Sequence, residues 1–271
     1  IGKLIAANLT TKAVENLYSD LVANQIGGGT LNLVHRTLSC AFGDAVRLGD
    51  LPRNPVLNAR KPSIKSVPTK AIPPEHWKKI YLEAMKNPFT HARIEIGLMI
   101  GLRPGEVLGL KWDDIDCKTK TLTIERQVQR GATGKLEFQS VKQGQIRTVP
   151  LTESQVNILL THKRYQALNK AKWTIDENLV FPNSIGGKLD EKKDRADFKK
   201  LLKAAGVPDY QLYQLRKTCF TIAAPNTDVR TMQAFSGHSQ VSTLMGSYVF
   251  PTSESMKSLL NAMDKLRPVA N

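Results

Sequence analysis

The chain has few cysteines and no long hydrophobic run, and both shortages limit what it can be. Its three cysteines, Cys40, Cys117 and Cys219, lie far apart, with no second Cys or His at metal-ligand spacing. This excludes a disulfide scaffold or a zinc ribbon and favours a reducing compartment. No apolar run approaches the ~20 residues of a spanning helix, and the N-terminus lacks a signal-like core. We therefore expect a soluble protein that is not secreted.

Sequence motifs for common cofactors are also missing. The glycine triplet at residues 27–29 has neither the preceding strand nor the following Lys of a phosphate-binding loop. The five histidines are scattered without helical pairing, which gives no support for a metal site. No Ser lies in a nucleophile-elbow context. We therefore expect no nucleotide, nicotinamide or metal cofactor.

Positive charge, in contrast, is abundant. The 271 residues include 39 Lys and Arg against 24 Asp and Glu, a formal net charge of +15. Hydrophobic residues at 41% and charged residues at 23% are ordinary globular values, and the length suggests two domains at roughly 150 residues each. The charge favours a polyanionic partner, nucleic acid first and a membrane surface second. A basic protein that binds no polyanion is the alternative.

The first part of the chain reads as a small all-α module followed by a linker. Hydrophobic spacing predicts helices over residues 11–25 and 30–48, on either side of the glycine triplet. Six prolines in residues 49–74 predict an extended linker, with a domain boundary near residue 66. We therefore expect domains over residues 1–66 and 67–271.

The second part reads as mainly helical with a small antiparallel sheet, so the fold class is mainly α (α+β). Alternating apolar residues between 121 and 151 predict short strands. Helical patterns lie on both sides of that stretch. The predicted helices begin near residues 74, 90 and 103, and then cover about 152–169, 189–205, 211–223, 228–236, 239–246 and 252–266.

Four segments of the second domain carry candidate functional residues. GLRPGEVLGLKWDDID (101–116) has Arg103 at a helix start with Glu106 three residues later, and SVKQGQIRTVPL (140–151) predicts a hairpin that presents Lys142. YQLRKT (213–218) places Arg216 in a helix. SGHSQVSTLMGSYVFP (236–251) has His238 in a break between helices and Tyr248 ten residues later.

In this order, the four segments resemble the tyrosine recombinase (phage integrase) family. Its fingerprint is an Arg in a G-L-R-x-x-E helix, a hairpin Lys before R-x-V-P-L, an H-x-L-R-H/K-T box, and G-H-S followed by Tyr. The resemblance implies an all-α core-DNA-binding module before an α-rich catalytic domain, and strand exchange through a 3′-phosphotyrosyl intermediate. The site residues it implies are Arg103, Lys142, Arg216, His238 and the nucleophile Tyr248, with Tyr213 in the usual His position and Glu106 behind the arginines.

The chemistry of phosphodiester cleavage fits these residue types. Tyr248 would attack the phosphorus, and Arg103 and Arg216 would fork onto the non-bridging oxygens. Lys142 would protonate the departing 5′-oxygen, with the neighbouring Arg147 as the competing candidate. His238 would donate a hydrogen bond to the phosphoryl group, and Glu106 would orient the arginine cluster. Because the protein linkage keeps the phosphodiester energy, no cofactor is implied.

One residue departs from the family pattern. Tyr213 stands where the family usually has His, and a phenol is a poorer general base than imidazole near pH 7. We expect Tyr213 to orient the phosphate, which leaves open how Tyr248 loses its proton. This departure motivates one alternative, a recombinase-derived DNA-binding regulator with weak or no catalysis. The other alternative is an enzyme with the same chemistry, a type IB topoisomerase-like strand transferase.

The resemblance also implies partners. These are double-stranded DNA at attachment sites, further copies of the chain in a tetramer on DNA, and an accessory DNA-bending protein, in the cytoplasm of a bacterium or phage host. The source would be a prophage or an integrative transposon. Because the chain begins at Ile1 without Met, we expect a longer protein with an N-terminal helix before it. Candidate DNA-binding residues are His35, Arg36, Arg47, Arg60, Lys61, Lys65 and Lys70.

Overall fold

A computed structural model describes residues 5–64, 69–141 and 145–237 of the chain. The chain divides into two compact units, Ile1–Thr69 and Lys70–Asn271. The division falls in the proline-rich segment, three residues beyond the boundary expected near residue 66. That these units are a core-DNA-binding and a catalytic domain stays a prediction.

The first unit is built on two helices, α1 (Thr11–Ala23) and α2 (Gly28–Arg47). Thr10 caps α1 by accepting a hydrogen bond from the backbone N–H of Ala13 (3.2 Å). Val14 and Tyr18, one turn apart, are fully buried against Leu31 of α2 and Val56 of the following segment. The spacing of apolar residues therefore predicted both helices, although each ends one or two residues earlier than expected.

The second unit is mainly helical. Its helices are α3 (Pro74–Ala84), α4 (Pro88–Glu95), α5 (Pro104–Gly109), α6 (Glu153–Asn169), α7 (Glu191–Ala204), α8 (Leu212–Ala223) and α9 (Val229–Ser236). A π-helical turn over Ile96–Ile100 continues α4, so the helix predicted to begin near residue 90 changes its winding within the core. The helices predicted over 239–246 and 252–266 lie outside the described residues.

Within the described residues, five short strands form two small antiparallel sheets. They are β1 (Ile115–Asp116), β2 (Thr121–Ile124), β3 (Arg126–Arg130), β4 (Leu136–Ser140) and β5 (Arg147–Pro150). The strand order is β1-β2-β5 in one sheet and β3-β4 in the other. In β2, buried Leu122 and Ile124 alternate with partly exposed threonines, the period-two pattern of a half-buried strand. The fold class predicted from the sequence, mainly helical with minor antiparallel sheet, is confirmed.

The hairpin predicted over residues 140–151 is wrong. Its first arm belongs to β4, which pairs with β3 so that Ser140 faces Arg126. Its second arm is β5, which pairs with β2 so that Arg147 faces Ile124. The two arms therefore pair with successive parts of the 121–130 stretch instead of with each other. Alternating polarity identified the strands but carried no information on their partners.

The two largest hydrophobic clusters among the described residues of the second unit form most of its core. One joins α4, its π-turn and α6 to β2 and β5, with Ile96, Leu122 and Leu159 fully buried. The other joins α3, α7 and α8 around Ile80, Leu202 and Leu215. Together they hold the start of α5, the middle of α8 and the start of β5 close to the end of α9. Among the described helices, none is long and apolar enough to span a bilayer.

Candidate active site

The G-L-R-P-G-E segment forms a tight helix start. Gly101 ends the π-turn with a left-handed φ of 71°, and an added Cβ there would lie 2.9 Å from Cys219 Sγ. Pro104 occupies the first turn of α5, where its missing N–H costs nothing. The Glu106 carboxylate then accepts hydrogen bonds from the backbone N–H of Arg103 (2.9 Å) and from its Nη1 (2.7 Å). The motif thus fixes Arg103 at the N-terminus of α5.

Glu106 is shared by two arginines. Arg147, at the start of β5, donates from Nη1 to Oε1 (3.1 Å) and from Nη2 to Oε2 (2.7 Å). The Glu106 side chain is 1% exposed, so burial alone would raise its pKa. The hydrogen bonds and charge of Arg147, and then the charge and backbone N–H of Arg103, outweigh burial and lower the pKa of Glu106 to about 2. Glu106 is therefore an anion at every ordinary pH.

Arg216 reaches the same place from the middle of α8. Its side chain is fully buried, with Nη1 donating to the carbonyl of Gly101 (2.8 Å) and Nη2 to that of Ser236 (2.7 Å). The guanidinium carbon lies 4.8 Å from the centre of the Phe220 ring, one turn further along the helix. Arg216 therefore links the end of the π-turn to the end of α9.

The end of α9 is the meeting point of all three arginines. Arg103 Nη2 donates to the carbonyl of Gly237 (3.0 Å), and Arg147 Nε donates to that of Phe235 (3.1 Å). Gly237 closes the helix in the left-handed region, at a φ of 64°. Three guanidinium groups at one helix end, two of them paired with Glu106, form a basic site that is suited to bind a phosphodiester.

Comparison with known proteins decides what kind of protein this site belongs to. A model of the phage integrase family matches residues 72–254, more than half of the chain. The chain belongs to the phage integrase family.

Curated relatives agree with this membership. The chain is similar to a tyrosine recombinase XerC-like protein of Caldanaerobacter subterraneus subsp. tengcongensis, 28% identical over 258 residues, and to an integrase of Saccharopolyspora erythraea, 24% identical over 264 residues. The matches cover 87% and 77% of this chain, and 66% and 60% of the two relatives. The chain therefore spans less than two thirds of the length of these relatives.

Solved structures share the fold of this integrase-family chain. The Tn1549 transposon integrase in complex with a circular intermediate DNA has a TM-score of 0.81 at 17% identity, over 95% of this chain and 86% of that one. A lambda integrase dimer bound to a COC′ core site has a TM-score of 0.70 at 18% identity, over 90% and 81%. At these identities the likeness shows the common fold.

The family motifs place some of the predicted residues together and leave others outside the described part of the chain. Arg103, Glu106 and Arg216 lie around the end of α9, as described above. Tyr213 is 44% exposed at the start of α8 and lines, together with Arg103, a cavity of about 700 Å³ between α5, β3, α7 and α8. Lys142, His238 and Tyr248 lie outside the described residues.

The candidate DNA-binding residues of the first unit differ in how available they are. Arg36, Arg47, Arg60 and Lys61 are exposed, although Arg47 pairs with Asp44 (3.1 Å) and Lys61 with Asn32. His35 is half-buried, and its Nδ1 is hydrogen-bonded to the Tyr18 hydroxyl (2.8 Å). In the second unit Lys70 is exposed, while Lys65 falls outside the described residues. DNA contact by all seven stays a prediction.

Sequence reasoning missed the structural part played by Arg147. It considered this residue only as a rival of Lys142 for the general acid, whereas the guanidinium is held by Glu106 and by the Phe235 carbonyl. The available signal was that Arg147 begins a strand that contains the buried Val149. A guanidinium group that becomes buried there needs an anion beside it. Within the described residues, no three His, Cys, Asp or Glu side chains cluster as metal ligands.

Proposed function

We propose that this integrase-family chain is a site-specific DNA recombinase that cuts and rejoins DNA through a 3′-phosphotyrosyl intermediate. The observation that supports it most is the convergence of Arg103 and Arg216, from helices far apart in sequence, on the successive carbonyls of Gly237 and Ser236. Guanidinium groups held on neighbouring carbonyls are suited to bind the non-bridging oxygens of one phosphate.

Each residue has a definite part in the proposed reaction. The Tyr248 oxygen attacks the phosphorus while its proton passes to solvent, and the bond to the 5′-oxygen breaks as that oxygen takes a proton from Lys142. Lys142 regains its proton from solvent before the next cleavage. Arg103 and Arg216 stabilise the charge that develops on the phosphorane, and His238 donates a further hydrogen bond. Glu106 holds Arg103 in place. The reverse attack by a 5′-hydroxyl reseals the strand, so the cycle needs no external energy source.

The partners follow from the same chemistry. The proposed substrate is double-stranded DNA at attachment sites, bound by residues 1–66 together with the catalytic unit over 67–271. Strand exchange between two duplexes requires four nucleophiles, and therefore a tetramer on DNA. An accessory DNA-bending protein would lower the free energy that is needed to bend the DNA at these sites. A prophage or integrative transposon in a bacterial nucleoid or phage host is the proposed setting.

Two other functions make different predictions. A type IB topoisomerase-like enzyme would relax a supercoiled plasmid that carries no recombination site. A DNA-binding regulator would bind such sites without cutting them, and the Tyr in place of His at position 213 is the observation that favours it. The presence of Arg103, Glu106 and Arg216 in one cluster supports the recombinase instead.

A nicked suicide duplex that carries the element's own end tests the proposal. Cleavage next to the nick releases a short fragment, so the protein–DNA adduct accumulates and is visible on a denaturing gel. The recombinase forms this adduct, and relaxes plasmid only when sites are present. Tight DNA binding without an adduct would establish the regulator, and site-independent relaxation would establish the topoisomerase.

The Tyr213→His variant is expected to keep or raise the rate of adduct formation between pH 6 and 8. Imidazole both donates to phosphate and exchanges a proton near neutral pH, so it replaces the phenol and adds a base. The Tyr213→Phe variant serves as the control, and loss of one hydrogen bond to a charged group should slow it by about tenfold or more. Complete loss of cleavage in Tyr213→His would show that the phenol does something imidazole cannot.

A further inference from the structure

The last carbonyls of α9 form an unusual acceptor set. A helix ends with four carbonyls that lack intrahelical donors, and these are commonly satisfied by water or by a following turn. Here the consecutive carbonyls of Phe235, Ser236 and Gly237 accept from three different arginines: Arg147, Arg216 and Arg103 respectively. We call these three carbonyls, together with the three arginines that bind them, the α9 clamp. The partial negative charge of a helix C-terminus also attracts the three cations.

Two members of the α9 clamp have a second task in the proposed reaction. Arg103 and Arg216 are the residues assigned to the phosphate, and a phosphate oxygen accepts hydrogen bonds from the same guanidinium groups that now serve Gly237 and Ser236. A charged acceptor competes well with a neutral carbonyl for such a donor. In the proposed reaction, two of the three contacts that hold the end of α9 therefore come from arginines that also serve the phosphate.

Arg147 differs from the other two in geometry. All three of its guanidinium nitrogens have acceptors, with both terminal nitrogens on Glu106 and Nε on the Phe235 carbonyl. Its side chain is 8% exposed, against 21% for that of Arg103. Arg147 also fills the space above Gly237, where an added Cβ would lie 2.9 Å from Nη1. Each nitrogen of its guanidinium group is therefore held by an acceptor within the protein.

We propose that Arg147 is a positioning residue, which keeps the end of α9 in place while Arg103 and Arg216 bind the phosphate. His238 follows Gly237 directly in the chain, so the point at which the polypeptide leaves α9 is set by this contact. Arg147 also balances the charge of Glu106, which would otherwise act on Arg103 alone. The inference rests on the proposed function for the parts of Arg103 and Arg216, but the anchoring of α9 does not.

The Arg147→Lys variant tests the proposal with two readouts. Lys keeps the positive charge near Glu106 but cannot bridge the carboxylate and the Phe235 carbonyl. Single-turnover cleavage of the suicide duplex should fall about 100-fold, the usual consequence of a displacement near 1 Å in an active site. The affinity for uncleaved DNA should change less than threefold or so, because phosphate contacts spread over the interface dominate it. Hydrogen exchange of the α9 amides, measured without DNA, should become faster.

A matched control separates positioning from general destabilisation. Arg126 of β3 also pairs with a buried carboxylate, that of Asp114 (2.6 Å), but takes no part in the α9 clamp. Arg126→Lys should cleave at nearly the native rate and leave α9 exchange unchanged. Gly237→Ala provides a second variant, because its Cβ would lie 2.9 Å from Arg147 Nη1, displace that side chain and accelerate α9 exchange.

The outcomes are decisive in each direction. The proposal would be overturned if Arg147→Lys cleaved DNA at the native rate or if its α9 amides exchanged at the native rate. It would also be overturned if the cleavage rate of Arg126→Lys fell as much as that of Arg147→Lys. If the native protein binds DNA but forms no adduct, the proposed function fails. The exchange measurement needs no DNA, so it still decides in that case whether Arg147 anchors α9.

Discussion

Replacing Arg216 with Lys is expected to slow single-turnover DNA cleavage by about 10²- to 10³-fold, the usual effect of losing one preorganised donor to a developing oxyanion. The fully buried guanidinium spans from the Gly101 carbonyl to that of Ser236, and its plane is fixed by both contacts. Lys has a single nitrogen on a flexible stem and cannot keep both contacts while it faces a phosphate. Quench-flow or gel assays of adduct formation measure the rate.

A second buried arginine serves as the control for this variant. Arg93 of α4 is 5% exposed and makes a bidentate ion pair with Asp194 of α7 (3.1 and 2.7 Å). Arg93→Lys should reduce stability at least as much as Arg216→Lys, yet the folded protein should cleave at nearly the native rate. Equal rate losses in the two variants would mean that Arg216 acts only through the fold.

The Glu106→Gln variant is expected to lose on the order of 3 kcal/mol in free energy of unfolding at pH 7. That figure follows from a pKa of about 2 in the folded protein against an ordinary value of 4.5. The amide is neutral, so Arg147, 8% exposed, and Arg103 would lose their shared anion in a buried site. Denaturant unfolding of the two proteins at several pH values measures the difference.

The pH dependence has a definite sign. Because the pKa of Glu106 is lower in the folded protein, its carboxylate stabilises the fold fully above pH 4.5 and loses that contribution as the pH falls toward 2. The gap between native protein and Glu106→Gln should therefore be largest near neutral pH and close on acidification. Glu153→Gln is the matched control, since Glu153 forms an exposed pair with Lys120 and should change stability little. A gap that stays constant from pH 7 to 3 would contradict the assignment.

Local sequence patterns predicted most elements because they report local physics. Helix caps and apolar spacing are properties of a few neighbouring residues, which is why Thr152 and Gln155 mark the start of α6 with a reciprocal capping box. The pairing of β4 and β5 was not predictable in the same way. β2 pairs with β5, whereas β3, which follows β2 in the chain, pairs with β4. No pattern within a few residues specifies these partners.

The part of the site that depends on neighbouring residues was predictable from the sequence. Arg103 and Glu106 stand three residues apart at a helix start, so their contact follows from spacing alone. The α9 clamp does not follow from residue spacing, because its acceptors are backbone carbonyls, which every residue carries. Residue type therefore gives no sign that Phe235, Ser236 and Gly237 bind arginines. Only the packing of α5, α8 and β5 around α9 brings these groups together.

The proposed covalent bond between Tyr248 and DNA can be mapped on the protein itself. The native protein, Tyr248→Phe and Tyr213→Phe are each incubated with the nicked suicide duplex, and the adduct is digested and mapped by mass spectrometry. We expect a nucleotide-linked peptide at Tyr248 in the native protein and in Tyr213→Phe, and no adduct in Tyr248→Phe. An adduct that persists in Tyr248→Phe, or that maps to Tyr213, would contradict the account.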